Sequence, residues 1–472
     1  IIMNKINGLT GLFNQGATCY INSTLQALYN SATSLKFIQN CPFTTELLQQ
    51  TIPPNPLPKN AQLSITNLKA LFYQMSTTSQ LSLNTLTLCR TLGMSNQQMN
   101  TQQDANEFLK QLLQIIEDVS KTSETTSLNE QSKDTKNQNE KQEDQQIATS
   151  TKFENVFEGR QLASVTCQEC GTESLTESKF QDLMLPVADD FFMALLKTMQ
   201  ADIIEGYQCS KCGKKTKVCK IINITQIPEL LIATIQRFGF DLHSQTYKKD
   251  TGLINCPICV DFHFLVNQTQ RFKETYQTNL QNLALFSEYL KVLMMPWLYF
   301  LIKDEILSPI NLSDDLIQLI MSDNEITDYV RQNYSCGYYT AFNEKCSDDS
   351  FYSIPKYNKI PQNLYILSNI ICHNGSLNRG HYYTLSNKVQ KIDNTLQLTM
   401  FQLNDSNISK QLSPMYQMSS IAGKQSKNNQ VFGFNSSFFN QSQENTGYMY
   451  FYEKLYNIKN IIYRNPKANQ AV

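Results

Sequence analysis

The chain has 472 residues, of which 41% are hydrophobic and 17% charged, and its formal net charge is −1. A chain of this length can bury a large core and exceeds one compact domain, so we expect two units or one enlarged domain with insertions. The balanced charge excludes a global field that recruits nucleic acid or an anionic membrane, and neither partner is expected.

The N-terminal residues lack a basic segment followed by an apolar one, so no secretory signal is predicted. The longest apolar stretch, Tyr289 to Ile302, contains Lys291 and Pro296 and falls short of the roughly 20 apolar residues of a spanning helix. The 13 cysteines are odd in number and scattered, unlike a secreted disulfide framework. We expect a soluble monomer in a reducing compartment, the cytoplasm or the nucleus.

The first chemically distinctive residue is Cys19. A glycine-containing loop that starts at Gly11 runs into a helical apolar pattern over Asn22 to Tyr29, which places Cys19 near a helix N-terminus. Unpaired backbone N–H groups and the helix dipole stabilise a thiolate there, and the same groups, with the Asn14 side chain, can stabilise an oxyanion. The alternative is a buried cysteine that acts as a small hydrophobe.

A second helix is predicted over Phe108 to Ile116, and two acidic residues stand at or before its start. Asp104 and Glu107 are three positions apart and share one helix face. Such a pair suits recognition of guanidinium groups. A solvated helix face with a capping contact is an equally good interpretation of these two residues alone.

The segment Ser120 to Thr151 is polar, almost without apolar residues, and predicts no stable structure. Short segments rich in β-branched and aromatic residues then predict strands. They are Leu162 to Cys167, Lys217 to Ile224, Leu230 to Arg237, Tyr365 to Cys372, Tyr382 to Leu385 and Tyr448 to Tyr452. Helices followed by strands indicate the α+β class.

Two Cys-x-x-Cys-Gly sequences, each offering two thiolates, predict one metal site. They contribute Cys167, Cys170, Cys209 and Cys212. Four sulfur ligands suit a closed, tetrahedral and therefore structural Zn²⁺ site. Structural thiols or a redox motif are the alternatives. A third pair, Cys256 and Cys259, has no partner pair and predicts core packing.

Residues 267–362 interrupt the strand series with helical patterns over Leu280 to Leu293 and Leu312 to Met321, which predicts an inserted helical segment. Its apolar run around Trp297 and Phe300 is interpreted as the core of a small helical subdomain rather than as an exposed partner surface.

A cysteine nucleophile needs a base, and only four histidines exist: His243, His263, His373 and His381. His373 and His381 both lie at predicted strand ends and are equally good candidates. Asn404 and Asp405 are candidates to orient the imidazole, although Asn-Asp-Ser is also an ordinary turn sequence.

Taken together, six blocks in chain order resemble the ubiquitin-specific protease family, the papain-like deubiquitinases. The blocks are Gly11 to Gln26, Gln102 to Phe108, Pro228 to Phe238, His373 to Tyr382, Asn404 to Ser406 and Tyr448 to Tyr452. Within the family, the segments Gly93 to Phe108 and Arg237 to Lys249 most resemble the ubiquitin carboxyl-terminal hydrolase forty-eight subgroup. Two positions depart from the family pattern: Ala17 replaces an Asn, and Met400 replaces a Trp.

The resemblance implies a papain-like α+β fold with a helical thumb, a β-rich palm and zinc-bearing β fingers. We expect the thumb at 8–118, a polar insertion at 119–152, the fingers and first part of the palm at 153–266, the helical insertion at 267–362, and the rest of the palm at 363–456 with a polar loop at 406–442.

The resemblance also assigns roles. It implies that Cys19 is the nucleophile, His381 the general base, Asn404 the orienting residue, Asp405 a supporting acid and Asn14 the oxyanion donor. It implies that the tail of ubiquitin is held by a further set of residues. That set is Asp104, Glu107, Phe238, Gly380 and Tyr382.

The expected activity is hydrolysis of isopeptide or peptide bonds after the C-terminal glycine of ubiquitin, with ubiquitin and ubiquitinated proteins as partners. A ubiquitin-binding scaffold without turnover is the main alternative. A papain-like protease for ordinary peptides is disfavoured by the cysteine pairs.

Overall fold

The computed structural model describes residues 5, 8–41, 61–131, 152–241, 245–252, 254–267, 283–296, 298–299, 314–338, 355–358, 360–376, 379–392, 395–410 and 445–455. The helices are α1 (Cys19–Asn30), α2 (Ala32–Asn40), α3 (Ala61–Thr77), α4 (Leu86–Thr91), α5 (Asn96–Met99), α6 (Ala105–Gln131), α7 (Phe153–Phe157), α8 (Phe191–Met199), α9 (His263–Asn267), α10 (Leu283–Met294), α11 (Asp314–Met321) and α12 (Asn324–Asn333).

The strands that precede the inserted helices are β1 (Gly11–Leu12), β2 (Ser82–Leu83), β3 (Gly159–Cys167), β4 (Glu173–Phe180), β5 (Leu183–Leu185), β6 (Asp202–Gln208), β7 (Lys215–Gln226), β8 (Leu230–Ile235), β9 (Phe238–Asp241), β10 (Thr246–Lys249) and β11 (Cys259–Asp261). The later ones are β12 (Tyr334–Tyr338), β13 (Pro355–Tyr357), β14 (Leu364–Ser376), β15 (Arg379–Ile392), β16 (Thr395–Asn404), β17 (Asn407–Lys410) and β18 (Thr446–Lys454).

The palm is an eight-stranded sheet in the order β17-β16-β15-β14-β18-β8-β5, with β11 paired to the start of β14. All of its pairs are antiparallel except β5 with β8. Alternate side chains of a strand point to opposite faces. Leu230 and Ile232 accordingly join a core with the thumb helices, whereas Leu231 and Ala233 join a second core behind the sheet.

The thumb is helical, as expected. The buried residues of α6 recur at the spacing of one helix face and pack in the core that also contains α1. The apolar ones are Ala105, Phe108, Leu109, Leu112, Leu113, Ile116 and Val119. This packing holds α1, and therefore Cys19 at its first residue, against the palm.

The fingers are a separate four-stranded antiparallel sheet in the order β4-β3-β7-β6. Most side chains of β4 and β6 are exposed, and the small buried cluster at the tips consists of Cys167, Cys209 and Val218. The two Cys-x-x-Cys turns lie at the ends of the two hairpins, β3–β4 and β6–β7. The described residues thus form the α+β arrangement of thumb, palm and fingers that the resemblance implies.

The described part of the inserted segment is continuous with the core behind the palm. Tyr289, Leu290 and Leu293 of α10 are buried there beside α8, and the Lys291 ammonium lies 3.4 Å from the Asp190 carboxylate. Leu298 is buried in the same core, so these apolar residues are core as expected, but they belong to the core behind the palm and not to a separate subdomain. The side chains of Trp297 and Phe300 lie outside the described residues.

A buried carboxylate anchors the same segment. Asp261 on β11 is fully buried and accepts hydrogen bonds from the Tyr329 hydroxyl at 2.7 Å and the Tyr334 hydroxyl at 2.6 Å. The nearby Cys256 and Cys259 are also buried, which raises the pKa of both thiols. Their predicted role in core packing is confirmed.

Two segments expected to lack regular structure are partly regular. Helix α6 continues to Gln131, because extending an existing helix costs little and Lys121 contacts Glu117 one turn earlier. Residues 132–151 lie outside the described part. In the expected loop 406–442, β17 forms because the chain turns at Asp405 and pairs back on β16, while 411–442 is not described.

Candidate active site

The loop before α1 is held by the side chain of Asn14. Its Oδ1 accepts the backbone N–H groups of Gly16 at 3.1 Å and Thr18 at 3.0 Å. Gly16 has φ of +133°, and a Cβ on it would lie 2.2 Å from Asn100 Oδ1. Only glycine fits there. Cys19 follows as the first residue of α1, and only 3% of it is exposed.

His381 lies between Cys19 and Asn404. Its Nε2 is 2.6 Å from Asn404 Oδ1. Interaction with Cys19 is the main cause that raises the pKa of His381 to about 9. The hydrogen bond with Asn404 and the charges of Cys19 and Asp405 raise it as well, and burial opposes them. Since Nε2 faces Asn404, Nδ1 is the ring nitrogen left for the sulfur.

Asp405 joins three parts of the site. It stands at the turn between β16 and β17 with φ of +50°. Its Oδ1 accepts from Asn22 Nδ2 on α1 at 2.7 Å, and its Oδ2 accepts from Asn14 Nδ2 at 3.0 Å and lies 3.9 Å from His381 Nε2. The turn interpretation of Asn404 and Asp405 is therefore also correct.

The structure brings together all five residues expected in the catalytic centre, and it gives Asn14 a more constrained setting than expected. Its amide nitrogen donates to Asp405, and its amide oxygen holds the loop before Cys19. One N–H of the Asn14 amide is thus already used, and the second is the one left for an oxyanion.

The structure distinguishes the two histidines, His373 and His381, that the sequence left as equal candidates for the base. His373 is 2% exposed, and burial together with the nearby Lys249 and His381 lowers its pKa to about 3. Its ring packs against Tyr382 at 4.6 Å and Phe238 at 5.3 Å between centroids. His373 is therefore a neutral core histidine, and Phe238, expected to contact substrate, also packs against it.

Gly380 borders an open cleft of about 420 Å³ beside His381. A Cβ on Gly380 would lie 2.0 Å from His373 Nε2, so no larger residue fits. The other residues that line the cleft are Gln102, Asn374 and Gly375. The Gln102 side-chain amide contacts Gly380 twice, accepting from its N–H at 2.9 Å and donating to its carbonyl.

Asp104 caps α6 rather than pointing freely into solvent. Its Oδ1 accepts the N–H groups of Asn106 at 2.8 Å and Glu107 at 3.1 Å. Its Oδ2 accepts the hydroxyls of Tyr448 at 2.8 Å and Tyr382 at 3.4 Å. The capping interpretation of Asp104 is thus correct. Glu107 is exposed, whereas Tyr382 is buried and directs its hydroxyl to Asp104.

The four cysteines of the fingers converge. Their sulfur atoms all lie within 4.8 Å of one another, with Cys167 Sγ 3.9 Å from Cys212 Sγ and Cys170 Sγ 3.8 Å from Cys209 Sγ. A tetrahedral zinc with bonds of about 2.3 Å to sulfur has sulfur–sulfur distances of about 3.8 Å. The donor set and its dimensions fit Zn²⁺.

Comparison with known proteins gives the family. The profile of the family described as "Ubiquitin carboxyl-terminal hydrolase" matches residues 10–452. The chain belongs to this family. Ubiquitin carboxyl-terminal hydrolase 47 of Drosophila melanogaster is 24% identical over 56% of this chain and 15% of its own length. Ubiquitin carboxyl-terminal hydrolase 48 of Danio rerio is 27% identical over 54% of this chain and 22% of its own length.

A third relative of this hydrolase family is human ubiquitin carboxyl-terminal hydrolase 34, 24% identical over 56% of this chain and 7% of its own length. The matched region spans less than a quarter of each of these three relatives. Hydrolase 48 is among them, as the subgroup resemblance predicts, and the others match at similar identity.

The two departures from the family pattern leave the site intact. Ala17 uses its backbone N–H, which donates to the Met99 carbonyl at 2.8 Å, and this contact does not depend on the side chain. Met400 is fully buried in the core behind the palm. Neither position belongs to the catalytic centre of this family member.

Sequence reasoning missed three contacts that shape this site. They are Asn22 on Asp405, Gln102 on Gly380, and Lys249 on the carbonyls of His373 and Gly375. Asn22 and Gln102 stand inside the blocks that carry the family resemblance, which was the available signal. Among the described residues, no helix is both long and apolar enough to span a membrane.

Proposed function

We propose that this chain is a deubiquitinating thiol hydrolase that cleaves isopeptide or peptide bonds after the C-terminal glycine of ubiquitin. One observation carries the proposal: His381 lies 2.6 Å from Asn404, and Cys19 is the neighbour that raises the pKa of its imidazole most. A nucleophile, a base and an orienting group in this order form a catalytic triad of the cysteine-protease type. Family membership supplies the substrate class.

The resting state is proposed to be a thiolate–imidazolium pair. With its pKa raised to about 9, His381 holds a proton at neutral pH, and an imidazolium beside a cysteine sulfur favours the thiolate form of that cysteine. Asn404 Oδ1 then accepts the Nε2 proton and fixes the ring plane. Asp405 adds a negative charge 3.9 Å from the same nitrogen.

In the first half-reaction the Cys19 thiolate attacks the carbonyl carbon of the terminal glycine. The carbon–nitrogen bond breaks, His381 donates its proton to the leaving lysine amine, and a thioester remains on Cys19. In the second, neutral His381 takes a proton from water, whose oxygen attacks the thioester carbon. The carbon–sulfur bond then breaks, the ubiquitin carboxyl group leaves and loses its proton to solvent, and the thiolate–imidazolium pair is restored.

The negative oxygen of each tetrahedral intermediate needs donors. The first N–H groups of α1 have no partner within the helix, and the second amide N–H of Asn14 is the further candidate. Because Asp405 and the loop amides orient the Asn14 side chain before substrate arrives, its donor is preorganised.

Recognition of the tail is proposed to involve the described cleft. Two glycines, Gly375 and Gly380, line the cleft beside His381, so a Gly-Gly end can approach the backbone there closely. Glu107 is exposed and can pair with a basic side chain of the tail. Near the cleft, the Tyr382 hydroxyl donates to Asp104, and the rings of Tyr382 and Phe238 both pack against His373.

A structural zinc ion in the fingers is part of the proposal. Cys167, Cys170, Cys209 and Cys212 would hold it, and the ion would supply a rigid cross-link between the two hairpins with no position open for water. We further propose that the chain acts as a monomer in the cytoplasm or nucleus, on ubiquitin and ubiquitinated proteins rather than nucleic acid or membranes. Gel filtration and imaging of tagged protein test these two points.

A ubiquitin that carries a C-terminal electrophile tests the function directly. The chain should become labelled, Cys19→Ala should abolish labelling, and Cys219→Ala, a half-buried cysteine of the fingers, should leave it unchanged. Labelling that persists in Cys19→Ala contradicts the assignment of the nucleophile. Labelling without turnover of a ubiquitin amide identifies a binding scaffold instead.

A further inference from the structure

Strand β15 carries His381 and is supported unevenly along its length. On one side it pairs with β14 along its whole first part, including Gly380 with Gly375 and Arg379 with Ser376. On the other side its pairing with β16 begins only at Thr384. The strand end that holds His381 therefore lacks a strand partner on that side, among the residues that the structure describes.

The side chain of Gln102 takes the place of that missing strand. Its Oε1 accepts the Gly380 N–H at 2.9 Å, and its Nε2 donates to the Gly380 carbonyl. A primary amide offers one donor group and one acceptor in a plane, as a neighbouring strand does. These bonds join residues separated by 278 positions, and the palm residue directly precedes His381.

The backbone segment that contains Gln102 is held in place by its neighbours. It lies two residues before Asp104, which caps α6, and the start of α6 buries Ala105 and Phe108 in the thumb core. On the opposite side, the His373 ring fills the space where a side chain on residue 380 would lie. Lys249 holds the other strand of the same hairpin by the carbonyls of His373 at 2.9 Å and Gly375 at 3.0 Å.

Three alternate residues of β15 each contact the thumb. Gly380 contacts Gln102, the Tyr382 hydroxyl donates to Asp104, and the Thr384 hydroxyl donates to the Ser23 carbonyl of α1 at 2.8 Å. His381 lies between the first two of these contacts. The base on the palm is thereby fixed relative to the helix that begins with the nucleophile.

We propose that Gln102 is a positioning residue for His381, acting through the backbone of Gly380. It touches neither the sulfur nor the imidazole in the described contacts, and its amide keeps the end of β15 at the distance that lets His381 reach Cys19. The inference rests on the proposed function, because it assumes the Cys19–His381 pair.

Alkylation of Cys19 by iodoacetamide tests this without any ubiquitin substrate. A thiolate–imidazolium pair reacts below the pH at which a free thiol ionises, so its rate at about pH 6 reports the pair. We expect Gln102→Met, similar in length but without the amide, to lower this rate by about tenfold or more, since displacement of a reacting group by 1 Å costs up to about 100-fold. Gln103→Met is the matched control and should react as the wild type does.

Two further readouts separate positioning from mere structural support. The pH profile of alkylation in Gln102→Met should move toward that of a free thiol, while the thermal midpoint stays within about 3 °C of the wild type. Toward a ubiquitin amide, kcat should fall by a larger factor than KM changes, although Gln102 also lines the cleft. Gln102→Glu retains the acceptor for the Gly380 N–H and should recover part of the rate.

The outcomes are distinct. Unchanged alkylation in Gln102→Met, with a wild type that reacts at low pH, overturns the positioning role and leaves the proposed function intact. Faster alkylation also overturns it, since Gln102 would then obstruct the cleft. A wild type without low-pH reactivity overturns the ion pair and this inference together.

Discussion

Asn22 donates a hydrogen bond to Asp405 at 2.7 Å, although the two residues are separated by 383 positions in the chain. Asn22 lies on the helix that begins with Cys19, and Asp405 follows Asn404, the residue that contacts His381. This bond therefore sets the nucleophile helix against the turn that orients the base. Asn14 reaches the other oxygen of the same carboxylate, so one side chain organises both halves of the site.

Removing this carboxylate should damage the catalytic centre more than the fold. In Asp405→Asn, two amide donors compete for one remaining acceptor, and the negative charge near His381 is lost. We expect kcat/KM for a ubiquitin amide to fall by roughly 10- to 100-fold, and the free energy of unfolding in urea to fall by about 1–3 kcal/mol. Asp328→Asn, on an exposed position of α12, is the control, and full activity in Asp405→Asn would contradict the role of the carboxylate.

The raised pKa of His381 predicts the alkaline limit of activity. The imidazolium is the proton donor to the leaving amine, so kcat/KM should decline as the pH rises through about 9. Because the pKa is raised in the folded state, the protonated ring also contributes stability that is complete below about 6.5 and is lost as the pH rises through about 9. His263→Gln should leave the alkaline limb in place. A limb near the ordinary pKa of histidine would show that His381 is not paired as described.

The fingers should depend on metal. Outside the cysteine cluster they bury little apolar surface, so the free energy of zinc binding, about 10–16 kcal/mol in small zinc domains, is the main term available to order them. We expect about one zinc per chain by elemental analysis. Chelation or Cys209→Ser should make the β6–β7 hairpin sensitive to limited proteolysis, whereas Cys219→Ser should not. Metal-free protein with protease-resistant fingers would rule out this dependence.

A methyl group at position 380 should abolish activity. In Gly380→Ala the Cβ would lie 2.0 Å from His373 Nε2, so the strand or the ring must move, and His381 moves with the strand. We expect at least about a 100-fold loss of kcat/KM from such a displacement. Gly239→Ala is the matched control in the neighbouring β9–β10 hairpin, because a Cβ there meets nothing within 4 Å. Equal activity of the two variants would mean that the hairpin tolerates the shift.

The inserted helices should be held to the palm by Asp261. Asp261→Asn replaces an acceptor of two tyrosine hydroxyls in a buried site, and we expect the free energy of unfolding to fall by about 1–3 kcal/mol. Cys19 alkylation should remain unchanged, because this anchor is on the far side of the sheet. Tyr329→Phe and Tyr334→Phe should each reproduce part of the loss, and exposed Tyr73→Phe should not. A loss of alkylation would instead connect the insertion to the catalytic centre.

Several features could be predicted because they depend on neighbouring residues in the chain. The helical period of α6, the glycine-containing loop before Cys19 and the two Cys-x-x-Cys turns are local patterns, and each predicted the structure that formed. The end of α6 was missed because its last turns carry no apolar face and continue from a helix already formed. Strand β17 was missed because its polar residues pair only after the turn at Asp405 has formed.

The sequence by itself determined the fold class, the nucleophile candidate, the four cysteines that form one cluster and, through the resemblance, the family. The tertiary structure decided which histidine is buried and neutral, which oxygen of Asp104 caps a helix, and which amide supports the strand of His381. These depend on sheet register and on contacts such as Asn22 with Asp405 and Gln102 with Gly380, between residues hundreds of positions apart. Local patterns fix the conformation of a segment, but only packing of the thumb against the palm brings such side chains within hydrogen-bonding distance.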